Sequence, residues 1–457
     1  MTRPLHIVIL AAGDGTRMRS RLPKVLHPLG GKPMLGHVID AARALSPARI
    51  HVVYNPAVPA VREAFEGAED LQWAGQRERL GTGHAVQQAM PGIPADADVL
   101  VLYGDTPLVP ASLLAELLST CPDGLALLTL APPDPAGYGR IVRDADGVIE
   151  GIVEHRDATD AQRAIGEVNS GILRAPAGQL AQWLGRLESG NAQGEFYLTD
   201  IVAMARADGT EIDAVIAPDA GLLEGANDRV QLAELASRHR VLAAEALMRG
   251  GVTIVDPARF DLRGRLQAGQ DIHLDINVVI EGDCELGDNV QVGPGCVLKD
   301  CRLAAGTRVH AHSVLEGVTT TGACDIGPFA RVRPGTQLAE GTRVGNFVEV
   351  KNTTLAAGSK ASHLTYLGDA VIGQGVNIGA GTITCNYDGV NKFKTVIGDG
   401  AFIGSDTQLV APVTVGKGAT IGAGSTIVRD APDHQLTVSR SKQVTVKGWK
   451  RPTKKLD

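Results

Sequence analysis

A chain of 457 residues with 44 Lys and Arg against 51 Asp and Glu carries a formal charge of -7, which excludes a dedicated nucleic-acid binder built on a basic domain. At about 100 to 200 residues per domain the length predicts two or three domains, and a hydrophobic share of 44% excludes low-complexity disorder. Glycine is the anomaly, with 55 residues, about 12% against a usual share of about 7%.

The first residues, Met1 to Gly13, carry one basic residue and a short apolar run, as a signal peptide does. Charges at Asp14, Arg17 and Arg19 follow at once, so a strand entering a loop is expected. No apolar stretch approaches the ~18 residues that span a bilayer, so no membrane insertion is expected. Up to residue 229, apolar runs alternate with helix-like segments, the pattern of an α/β domain with a mainly parallel sheet. The predicted strands are His6 to Leu10, His51 to Tyr54, Val99 to Tyr103, Leu125 to Leu130 and Ile212 to Ile216. Ligands in such folds sit beyond the carboxyl ends of strands.

A segment without Gly or Pro, Asp228 to Arg249, predicts a connecting helix (residues 230–250), with Val230, Leu235, Leu242 and Leu247 on one face. From 251 to 457 the pattern changes. Aliphatics recur every six residues at Ile280, Leu286, Val292 and Leu298, then from Ile326 to Val350, then from Ile397 to Ile427. That period fits a parallel β-helix whose aliphatics point inward and whose corners require positive φ, a task for glycine. Two breaks interrupt it, Val350 to Ile372 and Ile378 to Ile397. Lys351, His363 and Tyr366 fall in the first, and the loop Cys385 to Lys394 lies beside the second. Breaks in a regular pattern are where function is expected.

Six cysteines at 121, 284, 296, 301, 324 and 385 contain no C-x-x-C, so neither zinc nor a redox motif is expected and a reducing cytosol fits. The tail bears Arg440, Lys442, Lys447, Lys450, Arg451, Lys454 and Lys455 against Asp457, either a solvated terminus or a phosphate-binding element.

The strongest motif is Leu10-Ala11-Ala12-Gly13-Asp14-Gly15-Thr16-Arg17-Met18, followed by Leu22-Pro23-Lys24. Gly13 and Gly15 admit an anion to backbone N–H groups, and Arg17 and Lys24 add charge. It is not a Walker loop, lacking G-K-[ST]. Tyr103-Gly104-Asp105 ends an apolar strand with a carboxylate suited to Mg²⁺. These motifs resemble those of sugar-1-phosphate nucleotidyltransferases. The whole chain, in order, resembles the bacterial family of bifunctional N-acetylglucosamine-1-phosphate uridyltransferase/glucosamine-1-phosphate acetyltransferases.

The resemblance implies a Rossmann-like α/β nucleotidyltransferase domain over residues 1–229 and a left-handed parallel β-helix of hexapeptide repeats over 251–457. It assigns Leu10 to Gly13, Arg17 and Lys24 to UTP or UDP-sugar phosphates, and Gln76, Gly81 and Thr82 to uracil. Asp105 and Asn227 become Mg²⁺ ligands, and Gly139, Glu154 and Asn169 sugar contacts. Taken alone, Gln76 reads as a surface residue. In the β-helix the resemblance gives Arg333, Lys351, Tyr366 and Asn377 to glucosamine-1-phosphate. Ala380, Asn386, Tyr387, Ser405, Ala423 and Arg440 go to acetyl-CoA. Acetyl transfer to an amine needs a base of near-neutral pKa, a role that suits His363, and coil stacking is expected to bring Asn377 within its reach. Small residues at 380, 405 and 423 would leave a groove along one prism edge. The family implies a cytoplasmic homotrimer with acetyltransferase sites built from more than one subunit. Two other readings are a single-activity nucleotidyltransferase with a structural or regulatory β-helix, and a non-catalytic scaffold. The second leaves Lys24, Asp105, Asn227 and His363 without a shared purpose.

Overall fold

Apolar runs early in the chain become the strands of one twisted sheet: β1 (Leu5–Leu10), β2 (Arg49–Tyr54), β3 (Leu71–Gly75), β4 (Asp98–Tyr103), β5 (Leu125–Leu130), β6 (Val168–Pro176) and β7 (Ile212–Ile216). In this computed structural model, which describes residues 3–454, they stand in the order β7-β5-β6-β4-β1-β2-β3. All pairings are parallel except those of β6, which runs antiparallel to β4 and β5. β1 and β4 are covered on both faces, which is why their sequences are continuous rather than alternating apolar runs. Ile7, Ile9, Leu100 and Leu102 pack with Leu35, Val38 and Ile39 on one side. Val8, Val99 and Val101 pack with Val86, Leu180 and Val202 on the other.

The five expected strands are present. β3 and β6 are not foreseen by the sequence: β3 is a short strand at the sheet edge, and Asn169-Ser170-Gly171 in β6 reads as a turn because it forms a register irregularity between Asn169 and Leu173. A hairpin, Arg140–Arg143 with Ile149–Val153, joins β6 at Arg140. The helix Arg229–Arg249 forms as predicted, and the chain divides into two compact units within it, between His239 and Arg240. Val230, expected on its buried face, is 68% exposed while Leu235 is buried; five residues rotate a helical position by about 140°, off the shared face.

The second unit is a parallel β-helix of strands two to nine residues long, from Thr253 to Thr437. Every aliphatic of the six-residue series is at most 2% exposed. Facing residues advance by 18 at Leu262↔Ile280 and Ile397↔Val415, by 17 at Leu298↔Leu315 and Val350↔Leu367, and by 25 at Ile372↔Ile397. The first break is therefore a coil shortened by one residue, and the second a coil carrying seven extra. Buried Thr342, Thr382, Thr407 and Ser425 donate to carbonyls three residues back, at 2.6 to 2.7 Å, which satisfies inward backbone groups at the turns. The corners do adopt positive φ, but glycine shares them. One edge runs Gly295, His312, Phe329, Phe347, Leu364, Gly381, Asp406, Gly424; another includes Gly335, Asn352 and Asp369.

Candidate functional sites

Parallel pairing aligns the carboxyl ends of β1 and β4, with Leu10 opposite Tyr103. The Gly104 N–H donates to the Leu10 carbonyl at 2.9 Å, so the glycine-rich loop and the Asp105 loop leave the sheet together. Gly15 has φ +56°, and a Cβ there would lie 2.5 Å from Lys24 Cβ; the loop closes over Lys24 only with glycine at this point. Leu10, Ala11, Ala12, Gly13, Lys24, Gln76, Gly81, Thr82, Tyr103 and Asp105 line one cavity of about 220 Å³. Arg17 and Asn227, with Tyr103 and Asp105 again, line an adjoining one of about 480 Å³.

At their junction Lys24 Nζ lies 2.5 Å from Asp105 Oδ2 and 3.2 Å from Asn227 Oδ1. Two hard oxygens thus converge on one cation, here an ammonium. The donor set fits Mg²⁺, which takes few protein oxygens and fills its shell with phosphate and water.

Gln76 is buried, contrary to its reading as a surface residue. Its Nε2 faces the Gly81 carbonyl at 3.2 Å and His84 Nδ1 at 3.1 Å. The amide nitrogen is thereby engaged, and Oε1 remains as an acceptor. Gly81 has φ +109°, and a Cβ would clash with Phe196 O at 2.6 Å. Gly139, Glu154 and Asn169 gather on the hairpin and β6: Asn169 N–H donates to Gly139 O at 2.9 Å, and Gly139 has no room for a Cβ beside Ile152 and Glu154. Burial pushes the Glu154 carboxyl above its ordinary range, against the Thr199 hydroxyl that donates to it at 3.0 Å. Burial likewise raises the Tyr103 phenol, helped by the charges of Glu154 and Asp105.

Asp14 pairs with Arg79, which also lines the cavity that holds Lys24 and Gln76. Its charge is therefore matched within the protein. Arg79 was not singled out by sequence reasoning, although it stands inside the Gln76–Gly81 segment.

In the β-helix, His363 is exposed, and its Nδ1 lies 3.2 Å from Asn346 Oδ1, the residue facing it in the preceding coil. With the amide oxygen as acceptor, Nδ1 carries the proton and the Nε2 lone pair is the one left for a substrate. Asn377 faces Lys360, not His363. The expectation of stacking is corrected by the 17-residue coil, which brings the Ala380 segment alongside instead, with Gly381 N–H donating to Leu364 O at 2.8 Å. The small residues then follow coil by coil. Asp406 N–H bonds Ala380 O at 2.7 Å, Gly424 N–H bonds Ser405 O at 2.8 Å, and Arg440 Nη1 caps the row on Ala423 O at 2.8 Å.

A second cluster lies beyond the Leu364 corner. Arg333 N–H bonds Val350 O at 2.8 Å and Lys351 faces Gly368, so the two cations occupy successive coils. The Tyr366 hydroxyl lies over Gly368, where a Cβ would be 2.4 Å away. The loop after Cys385 doubles back through a Tyr387↔Lys392 bridge. This leaves Tyr387 exposed and Asn386 buried, and brings Lys392 beside Lys351, which pushes the Lys392 ammonium below its ordinary range. Lys392 carries no signal in the sequence beyond its place in this loop, because its position beside Lys351 depends on the fold-back. All six cysteines are free. Of the basic tail, residues through Lys454 are described and exposed; Lys455 and Asp457 lie outside the described residues.

Residues 7–146 match the model of the MobA-like NTP transferase domain, and residues 394–429 that of the bacterial transferase hexapeptide. The chain is 57% identical to the bifunctional protein GlmU of Alkalilimnicola ehrlichii over 457 residues, covering 100% of this chain and 98% of the relative. It is 59% identical to that of Xanthomonas axonopodis pv. citri, covering 100% of both. With that of Stenotrophomonas maltophilia it shares 57% over 455 residues, again 100% of both.

Proposed function

From the premise that the chain belongs to the bifunctional GlmU family, we propose how its two sets of residues divide the chemistry. The protein is a bifunctional enzyme of UDP-GlcNAc synthesis, a UDP-GlcNAc pyrophosphorylase and a glucosamine-1-phosphate acetyltransferase, with a left-handed β-helix of hexapeptide repeats as its second half.

Acetyl transfer belongs to the β-helix. The amine of glucosamine-1-phosphate attacks the thioester carbonyl of acetyl-CoA and the C–S bond breaks; His363 Nε2 accepts the amine proton and passes it to the departing sulfur, so CoA leaves as the thiol and the base is restored. A base so placed is worth roughly 10²- to 10⁴-fold. Arg333, Lys351 and Lys392 hold the sugar phosphate, whose charge relieves the repulsion between the two lysines. Tyr366 and Asn377 line the sugar side. Ala380, Ser405 and Ala423 leave a shallow lane for CoA that ends at Arg440, with Asn386 and Tyr387 at its other margin.

Uridylyl transfer belongs to the α/β unit. A phosphate oxygen of GlcNAc-1-phosphate attacks the α-phosphorus of UTP, and the bond to pyrophosphate breaks. The nucleophile is already anionic, so alignment and charge neutralisation outweigh proton transfer. Gln76 Oε1 accepts from uracil N3–H, Gly81 and Thr82 bound the base, and Arg17 and Lys24 cover the phosphates. Gly139, Glu154 and Asn169 receive the sugar. Mg²⁺ held by Asp105 and Asn227 would supply further neutralisation of the triphosphate, Lys24 being displaced onto it.

The assembly in this reading is a cytoplasmic homotrimer. His312, Phe329 and Phe347 stack with centroids 5.1 and 5.5 Å apart along one edge, and Leu364 continues the column at 64% exposure. The positive-φ corner at Leu364 lies between His363 and the Tyr366–Gly368 stretch that Lys351 faces, which supports the reading that a base from one copy serves a phosphate site of another. Among the described residues no helix is long and apolar enough to cross a membrane.

The convergence of Lys24, Asp105 and Asn227 on one point carries the nucleotidyltransferase half, and full-length family membership carries the pairing of activities. The test is one coupled assay containing acetyl-CoA, glucosamine-1-phosphate, UTP and Mg²⁺, each omitted in turn. UDP-GlcNAc should form only in the full mixture. Without UTP, CoA should still be released. CoA release that fails in the full mixture would leave the β-helix a structural element.

A further inference from the structure

Asp369 is a buried carboxylate for which neither activity has yet found a use. It follows the strand Lys360–Gly368 at a prism corner with φ +50° and is 8% exposed. Oδ1 accepts from Asn352 Nδ2 at 2.6 Å, Oδ2 accepts from Asn386 Nδ2, and Lys351 Nζ lies 3.6 Å from Oδ2. Burial pushes this carboxyl upward, but the two amides together with Lys351 and Lys392 outweigh it and hold it below the ordinary range. The group is therefore ionised and can only accept hydrogen bonds.

That has a stereochemical consequence for Asn386. An amide can be turned either way, and the two ends have opposite character. Facing an acceptor-only partner, Asn386 must turn its NH₂ inward, which leaves Oδ1 as the end available to a ligand. Lys351 approaches the same oxygen that Asn386 does, Asp369 Oδ2, and Lys392 lies beside it. An amide at 369 would offer one acceptor oxygen where two amides need one each, and no charge for Lys351.

We propose that Asp369 is a positioning residue of the acetyltransferase site. It locks the Asn386 amide so that the site presents a carbonyl oxygen to an N–H or O–H of the ligand, and it tethers the Lys351 ammonium for the phosphate. The inference rests on the acetyltransferase reading above. The left-handed corner at 369 is compatible with this role, since Asp and Asn tolerate that conformation better than other residues with a side chain.

The same tolerance makes the test clean, because Asp369→Asn keeps shape and backbone. Acetyl transfer is followed by release of the CoA thiol while glucosamine-1-phosphate is varied, with uridylyl transfer by the same preparation as the internal standard. Asp369→Asn should raise KM about tenfold or more for glucosamine-1-phosphate, through the untethered Lys351, and for acetyl-CoA, varied in a second series, through the unlocked Asn386, as expected for losing hydrogen bonds to a charged partner. It should lower kcat less. The exchange Asp369→Asn with Asn386→Asp restores a donor–acceptor pair, returns an acceptor oxygen to the ligand side and keeps the negative charge beside Lys351; it should recover most of the loss. Wild-type KM in Asp369→Asn overturns the proposal. So does a lowered Tm without a change in KM, or an exchange variant no better than the single one. If the wild-type chain releases no CoA, the acetyltransferase reading itself fails.

Discussion

His363 and Asp105 stand in separate units, which makes the two reactions separable one residue at a time. His363→Ala should lower CoA release by roughly 10²- to 10⁴-fold while pyrophosphate release from UTP and GlcNAc-1-phosphate continues at its normal rate. Asp105→Ala should do the reverse. Measuring both products for both variants checks the assignment, and a His363→Ala chain with wild-type acetyl transfer would remove the base. Another residue-scale prediction concerns β1 and β2, where buried His6 and His51 touch through Nδ1 and Nε2 at 2.9 Å. Burial pushes both imidazoles down, His51 to about 4. An unfolded chain binds these protons at about 6.5, so it takes up more protons than the folded one between the two values. Stability of the α/β unit is complete above pH 6.5 and should fall as pH drops toward 4. Urea midpoints at pH 7.5 and 5 should separate in wild type and converge in His51→Gln.

Elements differ in how openly the sequence announces them. The β-helix is legible because one inward side chain per flat repeats the same environment, and the prism corners follow from the period. β1 and β4 are legible as unbroken apolar runs, and with them the loops that hold Gly13 and Asp105. β6 is hidden, because an antiparallel strand with an irregularity at Asn169 uses turn residues inside the sheet. The fold-back that carries Lys392 to Lys351, and the acceptor role of Asp369, depend on which residues face each other after a 17-residue coil, and no local pattern encodes that. The lane of small residues gives a prediction at this scale. Ser405→Trp should raise KM for acetyl-CoA by tenfold or more through loss of space, since the ring would stand over the Ala423 step. Far-ultraviolet circular dichroism should be unchanged, because residue 405 is exposed.

For the whole molecule, the proposed trimer would tie assembly to one activity only, through the exposed column of Phe329, Phe347 and Leu364. Its rings and methyls are 49%, 57% and 64% exposed, a row that soluble monomers rarely leave open. Phe347→Asp with Leu364→Asp should convert a trimer into monomers by light scattering. Acetyl transfer should fall with it, while uridylyl transfer persists. A trimer unaffected by both charges would move the interface to another face.

The coil that advances by 25 residues also bears on how such an enzyme changes over time. Below it Val350 faces Leu367, above it Ile397 faces Val415, and the stacked interior passes through without a step. Each coil touches only its neighbours, so extra chain leaving at a corner disturbs nothing beyond the two flats it joins. New specificity can therefore be written into a corner by lengthening it, while the interior stays under its own separate selection. The segment from Cys385 to Lys394 is one such addition, and other corners of the prism are vacant ground for grafting a different acceptor sugar.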